Sequence, residues 1–195
     1  MITIGDLRFI CPATRSTRLA SCIGPLNAAM AEFKINSPLR RAHFLAQLAQ
    51  ESGGFNYLRE LASGRDYEMR VDLGNVELGD GPRFKGWGWM QTTGRKNTRI
   101  VSLALFGDAR LVLDPTLIDP PSRELAARAA GHFWTKGAGQ NLSKRATTHG
   151  VKIGVDLNEL ADVDDAEGIT LAVNGGLNGY QERLAYLTKL KGRLA

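Results

Sequence analysis

Apolar residues recur every three or four positions along much of this chain, with short polar, glycine-rich stretches between them. That is the periodicity of amphipathic helices sharing one core. Ile4 to Ile10 forms one such run and stops before Cys11-Pro12, where the residue ahead of a proline leaves helical backbone. Arg18 to Phe33 predicts a second helix, with Leu19, Ile23, Leu26, Ala29, Met30 and Phe33 along one side. Ser37-Pro38 is an N-cap followed by a first-turn proline. The helix it opens puts Ala42, Leu45, Ala46, Leu48 and Ala49 on an apolar face, sets His43, Gln47 and Glu51 as a stripe beside it, and stops at Gly53-Gly54. Later runs predict helices over Asn97 to Phe106, from Ser122 with Glu124 to Trp134 and over Tyr180 to Leu194, while Asp165 to Ala172 leads into Asn174-Gly175-Gly176.

Between these runs the pattern changes. Ser63 to Gly88 is rich in Gly, Asp and Arg and reads as a loop with at most short strands, forming one wall of a cleft. Trp89-Met90-Gln91 opens a helix-prone region, and Lys136 to Asp156 reads as a loop or hairpin. The expected fold is mainly α, a helical domain with a loop-rich cleft wall and few or no short strands. A chain of 195 residues, 43% hydrophobic, is long enough for one well-packed core, so residues 1–195 are expected to form a single catalytic domain, with 136–156 as an insertion or small lobe.

Composition narrows the function. Cys11 and Cys22 are too few for a disulfide scaffold, and free thiols are the expectation over one bridge. No stretch approaches the roughly 20 apolar residues of a membrane span, and the N-terminus lacks a signal-peptide pattern, so a cytoplasmic origin is expected. The net charge of +5 favours anionic surfaces. The basic residues are scattered singly or in pairs such as Arg40-Arg41 and Lys144-Arg145, which argues against nucleic acid and leaves adsorption to an anionic envelope. His43, His132 and His149 show no metal-ligand spacing, so neither metal nor cofactor is expected, and His43 reads as a packed structural histidine.

The candidate chemistry centres on Glu51. An acid in the last turn of a helix meets the partial negative charge of the carboxyl end, which raises its pKa and suits it to general-acid work. A solvated Glu at a frayed end is the plain alternative. Glu60 follows nine positions on, past a helix stop and a turn, so the two carboxylates can face each other across a cleft.

The order of motifs resembles glycoside hydrolase family 19, and more its phage and bacterial lysozyme-type endolysins than the plant chitinases. Ala49 to Phe55 parallels the family's AHESGGF, Leu58 to Gly64 the stretch with its second catalytic Glu, Asp72 to Gly81 its DLGNxxxGDG, Phe84 to Asn97 its YxGRGxIQLTGRxN, and Val173 to Gly179 with Arg183 its INGGxNG and downstream Arg. The resemblance implies a lysozyme-like fold and inverting hydrolysis of a β-1,4 glycan, with Glu51 as acid, Glu60 as base and Thr93 holding the attacking water. It assigns Gln91, Asn97 and Asn174 to the sugar sites and Arg183 to organising the acid. In such enzymes the carboxyls stand roughly 6.5–9.5 Å apart. The implied substrate is peptidoglycan, cut by a monomeric endolysin that stays in the host cytoplasm until a holin partner releases it to the wall. A chitinase, a lytic transglycosylase and an inactive glycan-binding protein are the alternatives. Between the motifs, Lys136 to Asp156 reads as an insertion.

Three positions depart from the family pattern: Gln50 stands for a His, Trp87 for the Arg of GRG, and Thr98 for a Tyr. Losing a cation at position 87 would let both carboxylate pKa values rise. An aromatic in a glycine-rich wall suits sugar stacking, so Trp87 is expected to line a glycan subsite.

Overall fold

The computed structural model describes residues 1–119, 123–138 and 142–195. Among these residues there are eleven α-helices: α1 (Ile4–Ile10), α2 (Ser16–Glu32), α3 (Pro38–Glu51), α4 (Asp80–Arg83), α5 (Arg95–Phe106), α6 (Arg110–Leu113), α7 (Glu124–His132), α8 (Lys144–His149), α9 (Leu157–Asp162), α10 (Ala166–Asn174) and α11 (Tyr180–Leu194). The β pairing described is limited to isolated antiparallel bridges, Arg59 with Trp87 and Trp87 with Thr92. The expectation of a mainly α fold with almost no strand therefore holds.

Helix α3 is the axis of the molecule. Ser37 Oγ accepts from Arg40 N–H at 3.1 Å, and Pro38 fills the first turn, as the cap signal predicts. The helix is not amphipathic on one face only, because every residue from Ala42 to Ala49 is buried, His43 and Gln47 included. The alanines explain it: small side chains on several sides let α9 and α11 close onto α3. Phe44 meets the Trp134 ring edge-on at 5.3 Å, and the Trp134 indole N–H donates to Asn158 Oδ1 at 3.1 Å. His43 Nε2 pairs with Asp164 Oδ1 at 2.9 Å, and Lys191 pairs with the same carboxylate, so His43 ties α3 to the α9–α10 turn and to α11. Its fully buried ring fits the structural role expected from the sequence.

The helix ends where the glycines predict. Gly53 and Gly54 have φ of 58° and 72°, Gly54 N–H returns to Ala49 O at 2.7 Å, and Ser52 Oγ accepts from Phe55 N–H at 2.8 Å. This turn swings the chain away from Glu51 toward Glu60.

The wall from Gly64 to Arg95 is held by polar bonds more than by apolar packing. Glu68 accepts from Gly79 N–H at 2.6 Å and Gly81 N–H at 2.7 Å. Asp80, 2% exposed, accepts from Val76 and Glu77 N–H and from Arg95 at 2.9 and 2.6 Å. Asn75 donates to Tyr67 O and accepts from Arg95 N–H. A Cβ at Gly81 would lie 2.6 Å from Glu68 N and 2.7 Å from Gly64 O, so only glycine fits there. The DLGNxxxGDG-like stretch is thus the scaffold of the wall.

Two expectations change. Trp89-Met90-Gln91 does not begin a helix: Gln91 sits at φ 50° and Gly94 at φ 91°, Thr92 pairs back onto Trp87, and helix resumes only at Arg95. Among its described residues the 136–156 segment holds a short helix where a loop or hairpin is expected. The π-helical turn Phe133–Gly137 leads toward α8, which Ser143 caps by accepting from Ala146 N–H at 3.2 Å. His149 then reaches Asp165 at 3.0 Å and Arg145 reaches Glu167 at 2.9 Å, fastening this segment to the start of α10. Residues 139–141 lie outside the described residues. So do Pro120, Pro121 and the Ser122 helix start, and described helix begins at Glu124. Cys11 and Cys22 are free and buried, and burial pushes both thiols up to about 11. No helix among the described residues is long and apolar enough to cross a membrane.

Candidate active site

Glu51 is the last residue of α3 and is half-buried. One turn earlier, Gln47 Nε2 donates to Glu51 Oε1 at 2.7 Å. Burial raises the Glu51 pKa, while the Arg183 charge and hydrogen bonding from Asn174 and Gln47 pull it back without reversing the shift. The direction agrees with the sequence expectation, but the leading cause is desolvation rather than the helix terminus. Arg183 comes from the first turn of α11, is wholly buried, and none of its three guanidinium nitrogens has a hydrogen-bond partner among the described residues. Burial lowers its pKa to about 10, with the Glu51 charge opposing that fall, so it remains a cation at neutral pH. An unbonded buried guanidinium is costly. The Glu51 carboxyl offsets part of that cost whenever it is ionised.

Asn174 ends α10, where Gly175 adopts φ 66°, and its Nδ2 donates to Asn178 O at 3.0 Å. The INGGxNG-like turn therefore caps a helix and also brings an amide to Glu51. Gln50, at the family's His position, lies against Gly179, where a Cβ would collide with its amide.

Glu60 is fixed differently. Its Oε1 accepts from the Tyr67 hydroxyl at 3.0 Å and its Oε2 from Gly86 N–H at 2.9 Å, while its own N–H donates to Gly86 O at 2.9 Å. Gly88 N–H donates to Leu58 O at 2.6 Å, and Trp87 exchanges both backbone bonds with Thr92. These bonds join the segment carrying Glu60 to the turn carrying Gln91 and Thr93.

Trp87 is 5% exposed, and its indole N–H donates to Arg83 O at 3.0 Å. The expected sugar-stacking face is absent: the ring packs into the wall. Arg59 lies over it at 5.8 Å, returning a cation to the place where the substitution removes one. Thr98 is buried and donates to Gly94 O at 2.9 Å, holding the first turn of α5.

Gln91, Thr93 and Asn97 share one cavity of about 410 Å³ with Ala172 and Val173. Gln91 Nε2 donates to Gly88 O at 2.8 Å, Thr93 Oγ1 to Gln91 O at 2.9 Å, and Asn97 Nδ2 to Thr93 O at 2.8 Å. These bonds preorganise the side chains and leave their oxygens able to accept. Neither Glu51 nor Glu60 lines the cavity, and each is joined to its lining through one intermediate residue. Val173 leads to Asn174 beside Glu51, and Gln91 packs on Gly86, which holds Glu60. Sequence reasoning assigned no site role to Gln47, Tyr67 or Arg59. Only Gln47 carried a signal, its position four residues before Glu51.

No family model matches the chain. It is 26% identical over 176 residues to a glycosyl hydrolase family 19 domain-containing protein of Haemophilus influenzae, covering 74% of this chain and 75% of that one. Its structure superposes on a bacterial family 19 chitinase with a TM-score of 0.73 at 17% identity, covering all of this chain and 95% of the other. Chitinase C from Streptomyces griseus aligns at a TM-score of 0.71 and 15% identity, over 99% of this chain and 76% of that one. The likeness to these two structures is one of fold.

Proposed function

We propose that this family 19 chitinase-like glycoside hydrolase cleaves the β-1,4 bonds of peptidoglycan glycan strands with inversion, Glu51 acting as acid and Glu60 as base. The observation that carries the reading is the asymmetry of the two carboxyls. Burial favours the protonated form of Glu51, and Tyr67 and Gly86 orient both oxygens of Glu60. Protonated Glu51 gives its proton to the glycosidic oxygen as the bond to the anomeric carbon breaks. Water, held by Thr93, attacks from the opposite face and passes its proton to Glu60. Arg183 then faces a newly anionic Glu51, so its buried charge favours the state after proton donation. Gln91, Asn97 and Asn174 bind the N-acetyl sugars.

Peptidoglycan is preferred because a chain of net charge +5 is drawn to anionic wall and envelope polymers. On this reading the protein is an endolysin, held in the host cytoplasm and released to the wall by a holin. A chitinase is the second reading, favoured by the fold shared with two chitinases. Mass spectrometry of products from purified sacculi and from chitin oligosaccharides separates them. New reducing ends from sacculi support the endolysin, and reducing ends from chitin alone overturn it.

A further inference from the structure

The lining of the cavity does not end at the side chains that face the sugars. Ile100, one turn along α5 from Asn97, also lines it and is 48% exposed. Leu103 follows three residues later and is 45% exposed, so an apolar stripe leaves the cavity along the outer side of α5 at helical i, i+3, i+6 spacing. The inward side of the same helix is already filled by Thr98, Val101 and Ser102. Single exposed aliphatics are ordinary, but two in register with a cavity mark a surface that can be covered. Lys96 and Arg99 run beside the stripe, both exposed, and neither is in an ion pair among the described residues. The acids near this helix in the chain are committed elsewhere: Glu77 and Asp80 pair with Arg95, and Asp108 with Arg110.

We propose that this side of α5 is a track for the lactyl-peptide stem of a peptidoglycan strand: Ile100 and Leu103 take the methyl groups of the stem, and Lys96 and Arg99 take its carboxylates. The inference rests on the glycan-cleaving reading above and deepens it, because the neutral sugars of chitin carry no such substituent. Continuity with the cavity selects the occupant. A sugar held by Gln91, Thr93 and Asn97 presents its substituent at the head of the stripe. The lengths agree as well. Six residues of helix from Asn97 to Leu103 rise about 9 Å, and a lactyl group with two extended residues, at up to about 3.6 Å each, covers that distance. Half-exposed aliphatics still have apolar surface to bury, and unpaired surface cations attract carboxylates through a field that salt screens.

The test uses the full chain carrying Glu51→Gln, so that ligands are bound without turnover. Calorimetric titrations compare a disaccharide–dipeptide muropeptide with the same disaccharide lacking the dipeptide. The peptide-bearing ligand is expected to bind about tenfold more tightly. Leu103→Ser is expected to cut that advantage about threefold, and Lys96→Gln with Arg99→Gln to abolish its salt dependence, each leaving affinity for the peptide-free disaccharide unchanged. All three positions are exposed, so the variants are expected to fold, and a thermal melt checks that they do. Equal affinity for the two ligands, or variant losses that fall equally on both, overturns the track. The two readings fail separately. A peptide preference that depends on Leu103, Lys96 and Arg99, in a protein whose unsubstituted form hydrolyses no glycan, upholds the track and overturns the hydrolase, whereas hydrolysis with no such preference does the reverse.

Discussion

Gln47 Nε2 and Glu51 Oε1 stand 2.7 Å apart across one turn of a buried helix, so the proposed acid is held by its own helix. The bond favours the ionised form of Glu51 and opposes the burial that favours the protonated form. Gln47→Leu keeps the volume and removes the donor. The Glu51 pKa should then rise further, and because the acid must be protonated to act, the alkaline limb of kcat should move to higher pH. Stability should change by less than about 1.5 kcal/mol, since a volume-conserving core change is well tolerated. A pH–rate profile beside a thermal melt checks both.

Tyr67 holds one oxygen of Glu60 and Gly86 N–H the other. Tyr67→Phe deletes a single O–H. A hydrogen bond to a charged group contributes about 1.5–3 kcal/mol, so kcat should fall roughly tenfold or somewhat more. KM should move much less, because Tyr67 is a positioning residue that acts through Glu60. Steady-state kinetics on sacculi or chitin oligosaccharides separate the two effects.

The wall should fail in acid. Hydrogen bonds from Arg95 hold Asp80 below the usual carboxylate range despite its burial. A depressed folded pKa contributes stability that is present above the unfolded value and is lost as pH falls through the folded one. Melting temperature should therefore drop as pH falls below about 4, the unfolded carboxylate range. Asp80→Asn should flatten that dependence and destabilise at pH 7 by about 2–3 kcal/mol through buried groups left unpaired.

Cys11 and Cys22 should resist thiol reagents in the folded protein, because both are buried and their thiols titrate at about 11. Titration with an aromatic disulfide reagent at pH 8 should release little chromophore until denaturant is added, then two equivalents per chain.

The long helices were legible because their caps and stops obey local rules: Ser37-Pro38, Gly53-Gly54 and Gly107 each do what their backbone preferences demand. The direction of the Glu51 shift was legible too, while its main cause was not, because desolvation depends on how α11 and α10 close over α3. Tyr67 gave no signal, since its hydroxyl meets Glu60 only through a turn stitched by Asn75 and Glu68. Trp87 misled for a related reason. Glycine neighbours suggested an open wall, but Arg83 and Arg59 enclose the ring. The 136–156 segment hid a helix whose signals, Ser143 as cap and Gly150 as stop, were present but short.

The central claim, two carboxyls working on opposite faces of one glycosidic bond, is tested most directly by following the anomeric proton of the fresh product by NMR, with Glu51→Gln and Glu60→Gln as controls. The account expects the α-anomer to form first from a β-linked glycan, and both variants to lose about 10²–10⁴ in rate. A β-anomer, a 1,6-anhydro product, or a Glu60→Gln protein that keeps the parent rate would contradict it.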